Sequence, residues 1–163
     1  MTPAFVRHYL SPLGRLTMTS ADGLSLSSLT FDDAAEAASD CLVFDQTAAW
    51  LDRYFSGIRP GELPPLAPAA TSFRQTLQEA LLALPLGQVL TYGSLARQLH
   101  TSPRALGQAL GANRLLIVVP CHRVVGSGGR LTGFAGGLWR KAELLRLEGI
   151  ETSFFDSVPM PQT

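Results

Sequence analysis

The sequence predicts an α/β (α+β) fold, with a small N-terminal domain of antiparallel β-sheet and helix followed by a mainly helical C-terminal domain. Alternating apolar and polar residues fill the first 31 positions, whereas helical periodicity dominates the second half of the chain. Residues 59–70 hold four prolines and show no periodicity, which is typical of a linker. The sequence therefore predicts domains of residues 1–70 and 71–151 and a flexible tail of residues 152–163.

The N-terminal domain is expected to contain three strands and two helices. Turn residues separate the strand-like segments, which are residues 5–10, 15–20 and 24–31. The polar, alanine-rich residues 32–40 predict a short helix. Residues 47–57 predict an amphipathic helix that ends at Gly57.

The C-terminal domain is expected to begin with a capped helix. Ser72 and Gln75 have the spacing of a capping box, and the helix they start ends at Pro85. Residues 115–120 are apolar and predict an extended segment. A last amphipathic helix is expected over residues 138–148, because glycine follows it.

Two short helices are expected between these elements. Thr91 can cap the first and Ser102 the second, with Pro103 at the favoured first helical position. Two short helices joined by a tight turn indicate a helix-turn-helix, a motif that often binds DNA.

The second helix of this pair has an unusual surface. Leu106, Ala109 and Leu110 share one face and predict the core. The opposite face consists mainly of small residues together with one arginine: Arg104, Ala105, Gly107, Gln108, Gly111 and Ala112. Because each interior glycine costs roughly 1 kcal/mol relative to alanine, the face favours a close approach by another molecule or element. A DNA groove and a tightly packed neighbouring helix both fit.

Charge is distributed unevenly along a chain whose net charge is zero. Residues 1–70 hold four arginines and eight acidic residues, whereas residues 71–149 hold nine basic and three acidic residues. Lys141 is the single lysine among these nine. A basic half is typical of a surface that meets a polyanion, although scattered, solvated arginines give the same count.

The composition favours a cytoplasmic protein. No apolar run reaches the length of a membrane span, and the first ten residues lack a signal-peptide pattern. The two cysteines, Cys41 and Cys121, are far apart and have no CxxC or Cys/His spacing typical of zinc. We therefore expect reduced cysteines, no metal and no membrane partner.

The segment Pro120-Cys121-His122-Arg123-Val124 is the strongest candidate for chemistry. An apolar run precedes it, so Cys121 alone fits a buried core cysteine. The two polar residues that follow favour a different interpretation, because a neighbouring His and Arg can lower a thiol pKa and supply a thiolate nucleophile. Glu148 is a candidate to orient the imidazole, although sequence distance does not establish that contact.

The same segment, with the apolar run before it and the glycine-rich residues 126–137 after it, resembles the active-site region of O6-alkylguanine-DNA alkyltransferases. The resemblance covers nearly the whole chain. It includes the stretches SPLGRLTM, LDRYFSG, LPLGQVLTYGSLA, RALGQALGANR, PCHRVVG, LTGFAGG and KAELLRLEG. Of these, PCHRV in its context is highly specific, whereas the glycines or the helix pair alone are weak signals.

The resemblance implies a role for each matching residue of the active site. Cys121 corresponds to the alkyl acceptor, His122 to the base that deprotonates it through a bound water, and Glu148 to the carboxylate that orients His122. Asn113 corresponds to the residue that braces the active-site turn. Backbone carbonyls near Val119 and Cys121 would contact the edge of the guanine.

The resemblance also implies how DNA is held. Arg104 corresponds to the arginine that enters the base stack where the guanine has left, and Tyr92 to the tyrosine that helps to turn the nucleotide out. The family places its recognition helix in the minor groove, which suits a small-residue face because that groove is only about 6 Å wide. The expected DNA- or base-contacting set also includes Ala105, Gly107, Gln108, Gly111, Arg114, Arg123 and Phe134.

The implied activity is DNA repair by direct damage reversal. An alkyl group would pass irreversibly and stoichiometrically from O6-alkylguanine to Cys121 after base flipping, with O4-alkylthymine as a further possible substrate and no cofactor. The expected partner is double-stranded DNA, bound by a monomer. A binding protein of the same fold that lacks transfer activity is a rival that Cys121 argues against. A Cys-His hydrolase is a second rival, and nothing in the sequence indicates its acyl substrate.

This sequence departs from the family pattern at a few positions. Arg114 stands where the family usually has proline after the asparagine, and Phe134 stands where it often has tyrosine. The turn before Arg104 is shorter than the usual form. The N-terminal half has no Cys/His set for the structural zinc that some members carry.

Overall fold

The computed structural model describes residues 4–31 and 36–150 of the chain. Within these ranges it contains five strands and five α-helices, which confirms a mixed α/β fold with a small antiparallel sheet. The predicted tail of residues 152–163 lies outside the described residues. Residues 32–35 of the helix predicted over 32–40 lie outside them as well. Residues 36–40 of that segment are not helical.

The antiparallel sheet consists of β1 (Phe5–Ser11), β2 (Gly14–Ser20) and β3 (Ser28–Thr30), in that order. Ser11 pairs with Gly14 across a two-residue turn, whose φ of 122° at Gly14 suits glycine. Leu16 and Met18 lie on the same face of the strand and are fully buried, as period-two patterning requires, and Thr17 between them is buried as well.

The third strand is shorter than the predicted segment 24–31. Asp22 accepts hydrogen bonds from the backbone amides of Leu24 and Ser25, so these residues form a turn rather than a strand. Leu26 bridges instead to Leu66 in the proline-rich segment. The proline-rich segment therefore forms backbone hydrogen bonds with Leu26. The sequence did not predict this pairing, because the segment shows no strand periodicity.

Helix α1 (Leu42–Phe55) begins five residues before the predicted start at residue 47. Val43, Phe44 and Leu51 are buried at helical spacing. Asp45 places a negative charge in the first turn, where it interacts favourably with the positive end of the helix dipole. The prediction was wrong about the start because Cys41 supplies no side-chain cap to mark it.

The second half holds α2 (Ser72–Leu82), α3 (Tyr92–Gln98), α4 (Pro103–Gly111) and α5 (Leu138–Leu147). Thr71, rather than the predicted Ser72, caps α2, because its hydroxyl accepts the amide of Arg74 at 3.1 Å. Thr91 and Ser102 cap α3 and α4 as predicted, each accepting an amide at 3.1 Å.

A short parallel pair of strands was not predicted. It joins β4 (Leu90–Thr91), just before α3, to β5 (Val124–Val125), just after the PCHR segment. Two-residue strands carry too little periodicity to be recognised in a sequence. Their pairing places the start of α3 beside the candidate nucleophile segment.

The predicted extended segment 115–120 is instead partly a turn. Leu115 bridges to Leu29, but Ile117 has a φ of 72°, which is rare for a β-branched residue. The run from Leu115 to Pro120 is buried, as its composition predicted. Such backbone strain costs about 1–3 kcal/mol and persists only where the surrounding packing enforces it.

The chain forms two compact units. One comprises Met1–Pro68 together with Arg114–Val118, and the other comprises Ala69–Asn113 together with Val119–Thr163. The second unit contains the packed cluster of Val125, Leu131, Ala142 and Leu145, against which Ile150 packs. The division into domains of residues 1–70 and 71–151 stays a prediction. No helix within the described ranges is long and apolar enough to span a membrane.

Candidate active site

Cys121 opens a single 3-10 turn, Cys121–Arg123, that lies between Pro120 and β5. Its backbone amide donates to the Val119 carbonyl at 2.8 Å, and its carbonyl accepts the amide of Val124. The residue is 7% exposed. The turn places the two polar residues that follow the cysteine, His122 and Arg123, at a buried site.

His122 and Glu148, 26 positions apart, are in direct contact. His122 Nε2 lies 2.5 Å from Glu148 Oε2, and both side chains are buried. Arg123 Nε donates to the other carboxylate oxygen, Oε1, at 2.6 Å. The carboxylate therefore receives two charge-assisted or polar hydrogen bonds that fix its orientation and, through it, the orientation of the imidazole.

Burial and charge set the protonation of this buried pair. Burial alone would raise the pKa of Glu148, but the hydrogen bond with His122 and the charge of Arg123 lower it to about 2. Burial lowers the pKa of His122, against the hydrogen bond and charge of Glu148, which raise it. The arrangement at neutral pH is thus an ionised carboxylate that accepts from a neutral imidazole.

A neutral imidazole that donates from Nε2 keeps Nδ1 as its basic nitrogen. Nδ1 is buried and has no hydrogen-bond partner among the residues that the structure describes. Glu148 thus selects the tautomer that presents a base, which is the arrangement needed for deprotonating a nearby thiol.

The thiol of Cys121 differs from the sequence-based expectation. We expected neighbouring His and Arg side chains to lower its pKa, but burial raises the pKa of Cys121. A hydrogen bond with Asn113 and the charge of Lys141 act in the opposite direction and lower it only in part. The resting cysteine is therefore a protonated thiol, which makes a general base necessary for thiolate chemistry.

Asn113 lies just beyond the end of α4, and its Nδ2 donates to the Val119 carbonyl at 3.1 Å. This hydrogen bond ties the end of α4 to the backbone immediately before Cys121. The geometry is consistent with the bracing role that the resemblance implies, and that role stays a prediction.

Tyr92, the first residue of α3, donates from its hydroxyl to the Thr132 carbonyl at 3.0 Å. Phe134, two residues further along, presents an edge-to-face contact to His122, with ring centroids 6.4 Å apart. Tyr92 therefore contacts the glycine-rich loop, and Phe134, a residue of the same loop, contacts the candidate base His122.

Two groups that were predicted to contact the base or the DNA, the Arg123 side chain and the Val119 carbonyl, already form hydrogen bonds within the protein. Arg123 is buried, and besides Glu148 its Nη1 donates to the Leu84 carbonyl at 2.8 Å. The Val119 carbonyl already accepts from Asn113 and from the Cys121 amide. The geometry makes Arg123 a positioning residue for Glu148 and offers no support for its predicted contact with DNA.

The predicted recognition face of α4 is open. All five predicted contact residues on this helix are exposed, and these are Arg104, Ala105, Gly107, Gln108 and Gly111. A Cβ added at Gly107 or Gly111 would meet no described heavy atom within 4 Å. Tight packing against a neighbouring helix therefore does not explain these glycines. Arg114 is also exposed, within the other compact unit.

Sequence reasoning missed Lys141. It lies on α5 and is only 1% exposed, with Nζ donating to the Thr132 and Gly133 carbonyls at 2.8 and 3.2 Å. A signal was present, because Lys141 shares the apolar face of α5 with Leu144 and Leu145, and a charged residue at a core position requires a reason.

The described residues contain no cluster of His, Cys, Asp and Glu that could hold a metal ion. The site consists of a buried cysteine next to an imidazole that a buried carboxylate orients, and these are the groups that cysteine nucleophiles use. Residues 72–150 match the family model described as 6-O-methylguanine DNA methyltransferase, DNA binding domain.

Two curated relatives are similar over most of the chain. A methylated-DNA–protein-cysteine methyltransferase of Haemophilus influenzae is 37% identical over 160 residues, which cover 92% of this chain and 89% of the relative. A protein of the same name from Saccharolobus islandicus is 37% identical over 144 residues, covering 88% of this chain and 94% of the relative. This chain belongs to the methylated-DNA–protein-cysteine methyltransferase family.

Solved structures agree with this assignment. The Mycobacterium tuberculosis O6-methylguanine methyltransferase has a TM-score of 0.78 and 36% identity, covering 88% of this chain and 92% of that one. The crystal structure of Mycobacterium tuberculosis OGT in complex with DNA has a TM-score of 0.77 and 35% identity, covering 88% of this chain and 91% of that one.

Proposed function

We propose that this protein repairs DNA by direct reversal of damage, accepting the alkyl group of O6-alkylguanine on Cys121. The observation that carries the assignment to this residue is the buried cysteine beside the His122–Glu148 pair in a member of the methylated-DNA–protein-cysteine methyltransferase family. Cys41, the other cysteine, has no such pair among the residues that the structure describes. It lies directly before α1, and its backbone amide donates to the Asp40 carboxylate.

The reaction is a nucleophilic displacement at the alkyl carbon. His122 takes the thiol proton of Cys121 at Nδ1 through a water, and Glu148 stabilises the resulting imidazolium. The thiolate forms a C–S bond with the alkyl carbon while the bond between that carbon and O6 breaks. The electron pair of the broken C–O6 bond stays on the guanine oxygen. A proton returns to the departing guanine. The thioether is stable, so each molecule acts once, and the reaction requires neither metal nor cofactor.

The burial of Cys121 implies that the target base leaves the duplex. A nucleotide inside the base stack cannot bring its O6 substituent to a buried thiol, and flipping it out costs a few kcal/mol. Tyr92, beside the glycine-rich loop, would contact the flipped nucleotide. Arg104, exposed on α4, would occupy the space that the base leaves.

The open face of α4 supports minor-groove binding by a helix-turn-helix made of α3 and α4. Its glycines let the helix backbone approach a narrow groove, and no packing reason for them exists among the described residues. The exposed arginines Arg97, Arg104 and Arg130 supply positive charge for phosphates. A monomeric state and a cytoplasmic location stay predictions.

The function is tested by intact-protein mass spectrometry after mixing the protein with a duplex that contains one O6-methylguanine. One methyl group per protein should appear on Cys121, the DNA should regain plain guanine, and excess DNA should give no second round. Cys41→Ser is the matched control and should react like the wild type, whereas Cys121→Ser should remain unmodified. Repeated turnover, or a methyl group on Cys41, would contradict the proposal.

The role of Arg104 is tested by comparing two substrates. Arg104→Ala should slow repair of methylated duplex much more than reaction with free O6-benzylguanine, because the free base needs no flipping. Arg104→Lys should restore little, since a planar guanidinium stacks on bases and an ammonium does not. Single-turnover rates on both substrates measure the effect.

Arg97→Ala is the control for this comparison, because Arg97 is exposed on the neighbouring α3. Its loss should weaken duplex binding and reduce the dependence of affinity on salt without a specific effect on the flipping step. Equal losses on duplex and free base in the Arg104→Ala variant would remove the stacking role.

A further inference from the structure

A cavity lies between α1 and the proline-rich segment of residues 59–70, inside the first of the two compact units. Its volume is about 580 Å³, which is typical of sites for small molecules. The wall formed by α1 is one stripe of the helix surface, made of Gln46, Ala49, Trp50 and Arg53. The opposite wall belongs to the proline-rich segment and consists of Pro60, Glu62, Leu63, Pro64 and Pro65. The proposed alkyl transfer uses none of these residues.

The indole of Trp50 carries a hydrogen-bond donor that the fold does not use. Trp50 is only 8% exposed, and its ring stacks on that of Tyr54 with centroids 5.6 Å apart. Its Nε1 is buried and has no acceptor among the residues that the structure describes. A buried donor without an acceptor is destabilising, so it requires an explanation. Because Trp50 lines the cavity, a ligand bound there can supply the acceptor.

The same stripe of α1 carries two more donors. Gln46 lies about one helical turn before Trp50 and Arg53 about one turn after it, so the three side chains are neighbours on the helix surface. The Arg53 guanidinium extends towards the proline-rich segment, since a Cβ added at Gly61 would lie 3.8 Å from its Nη1. This wall of the cavity therefore offers an amide, an indole N–H and a guanidinium to a ligand.

The acidic residues of α1 leave the charge of Arg53 without a partner. Asp45 accepts from Arg7 at 2.9 Å, and Asp52 accepts from the Tyr9 hydroxyl at 2.6 Å, so both are bound to β1. Within the described ranges Arg53 forms no ion pair. A guanidinium binds a carboxylate through two parallel hydrogen bonds, which makes a carboxylate the acceptor that fits this row of donors.

The opposite wall limits what else the ligand can carry. Its prolines have no backbone N–H to donate, and together with Leu63 they present hydrocarbon to the cavity. Glu62 is exposed on this wall and has no ion pair in the part of the chain that the structure describes, so it repels a second negative charge. The cavity thus fits one carboxylate attached to an apolar body.

We propose that this cavity binds a small monocarboxylate with an apolar body, whose carboxylate accepts hydrogen bonds from Trp50 Nε1 and the Arg53 guanidinium. The apolar body packs against the prolines. Gln46 and Arg53 are exposed at the rim, so their side chains can move aside to admit the carboxylate to the buried indole. The inference is independent of the proposed alkyl transfer.

The test adds phenylacetate to isotope-labelled protein and follows the indole N–H signals by two-dimensional proton–nitrogen NMR. The chain has two tryptophans, so Trp139 is an internal control. The Trp50 indole proton should shift downfield and saturate, because its N–H gains an acceptor, and the Trp139 signal should stay in place. The dissociation constant should be on the order of 1 mM, as expected for a ligand of this size. Phenylacetamide, which has no charge, should bind at least about tenfold more weakly.

Variants assign the contacts, with saturation-transfer NMR of the ligand as the measure of affinity. Arg53→Met and Trp50→Phe should each weaken phenylacetate binding by about tenfold or more, since each removes a hydrogen bond to a charged group. Arg59→Met is the matched control, because Arg59 is exposed nearby and does not line the cavity, and it should bind like the wild type. Phenylmalonate, which carries a second carboxylate, should bind Glu62→Gln more tightly than the wild type.

A Trp50 signal that phenylacetate does not move overturns the inference. Equal affinity for phenylacetamide, or wild-type affinity in Arg53→Met, overturns it as well, because the carboxylate would then not be what is recognised. A Trp50 signal that moves with protein concentration alone would show that a second copy of the chain fills the cavity, which also contradicts a small-molecule site.

Discussion

Replacing His122 by alanine is expected to slow alkyl transfer by about 10²–10⁴-fold, the usual contribution of a general base. The need for a base is strong here, because burial raises the pKa of Cys121 and leaves the resting cysteine as a thiol. Binding of duplex DNA should remain near that of the wild type, since His122 is fully buried and presents nothing to the DNA surface. Single-turnover transfer and equilibrium binding to the same duplex measure the two quantities separately.

His8→Ala is the matched control for this experiment. His8 lies in β1, where its Nδ1 is 3.1 Å from the Thr17 hydroxyl, and it has no part in the proposed reaction. Its loss should leave the rate of transfer unchanged. A His122→Ala variant with wild-type single-turnover kinetics would show that the thiol is activated by another group.

The pH dependence of transfer gives a second measure of the same base. Burial lowers the pKa of His122, so the basic form persists as the pH falls through the ordinary histidine value of 6.5. Wild-type transfer should therefore not decline with a midpoint near pH 6.5. A decline centred there would mean that His122 titrates as a solvated imidazole.

The active-site residues were predictable from the sequence, but their connections were predictable only in part. The segment PCHRV identified Cys121 and His122, because polar residues directly after a buried apolar run indicate a functional role. The contact of His122 with Glu148 depends on how the end of α5 packs beside the 3-10 turn, and no local pattern encodes that over 26 positions. Arg123 was expected to contact the DNA or the base, and the structure instead buries it against Glu148, which a residue type that is mostly exposed does not indicate.

Local patterns also explain what was right and wrong in the fold. The caps at Thr91 and Ser102 are local and were predicted, whereas Thr71 and Ser72 both suit a cap and only the helix geometry selects Thr71. The turn at Ile117 was not predicted, because a β-branched residue with positive φ contradicts its own propensity. Tertiary packing enforces such conformations, and they are invisible to periodicity.

Replacing Glu148 by alanine is expected to have the largest effect on stability, about 3–5 kcal/mol, because it leaves the Arg123 guanidinium buried without its carboxylate. His122 loses its hydrogen-bond acceptor in the same variant, so residual transfer should fall as in His122→Ala. Chemical denaturation measures the free energy of unfolding. Glu143→Gln, on the same helix, is the control and should cost no more than about 1 kcal/mol, because the Glu143–Arg146 pair is partly exposed.

The dependence of stability on pH separates the charge of Glu148 from its shape. Its pKa falls from 4.5 to about 2 on folding, so the carboxylate contributes about 3 kcal/mol that is fully present above about pH 5. This contribution is lost as the pH falls from about 4.5 towards 2, because the unfolded chain takes up the proton first. Glu148→Gln keeps an acceptor for His122 but has no proton to take up. It should therefore lack this part of the acid-induced loss, and a variant that loses stability with acid as steeply as the wild type would show that another group carries the effect.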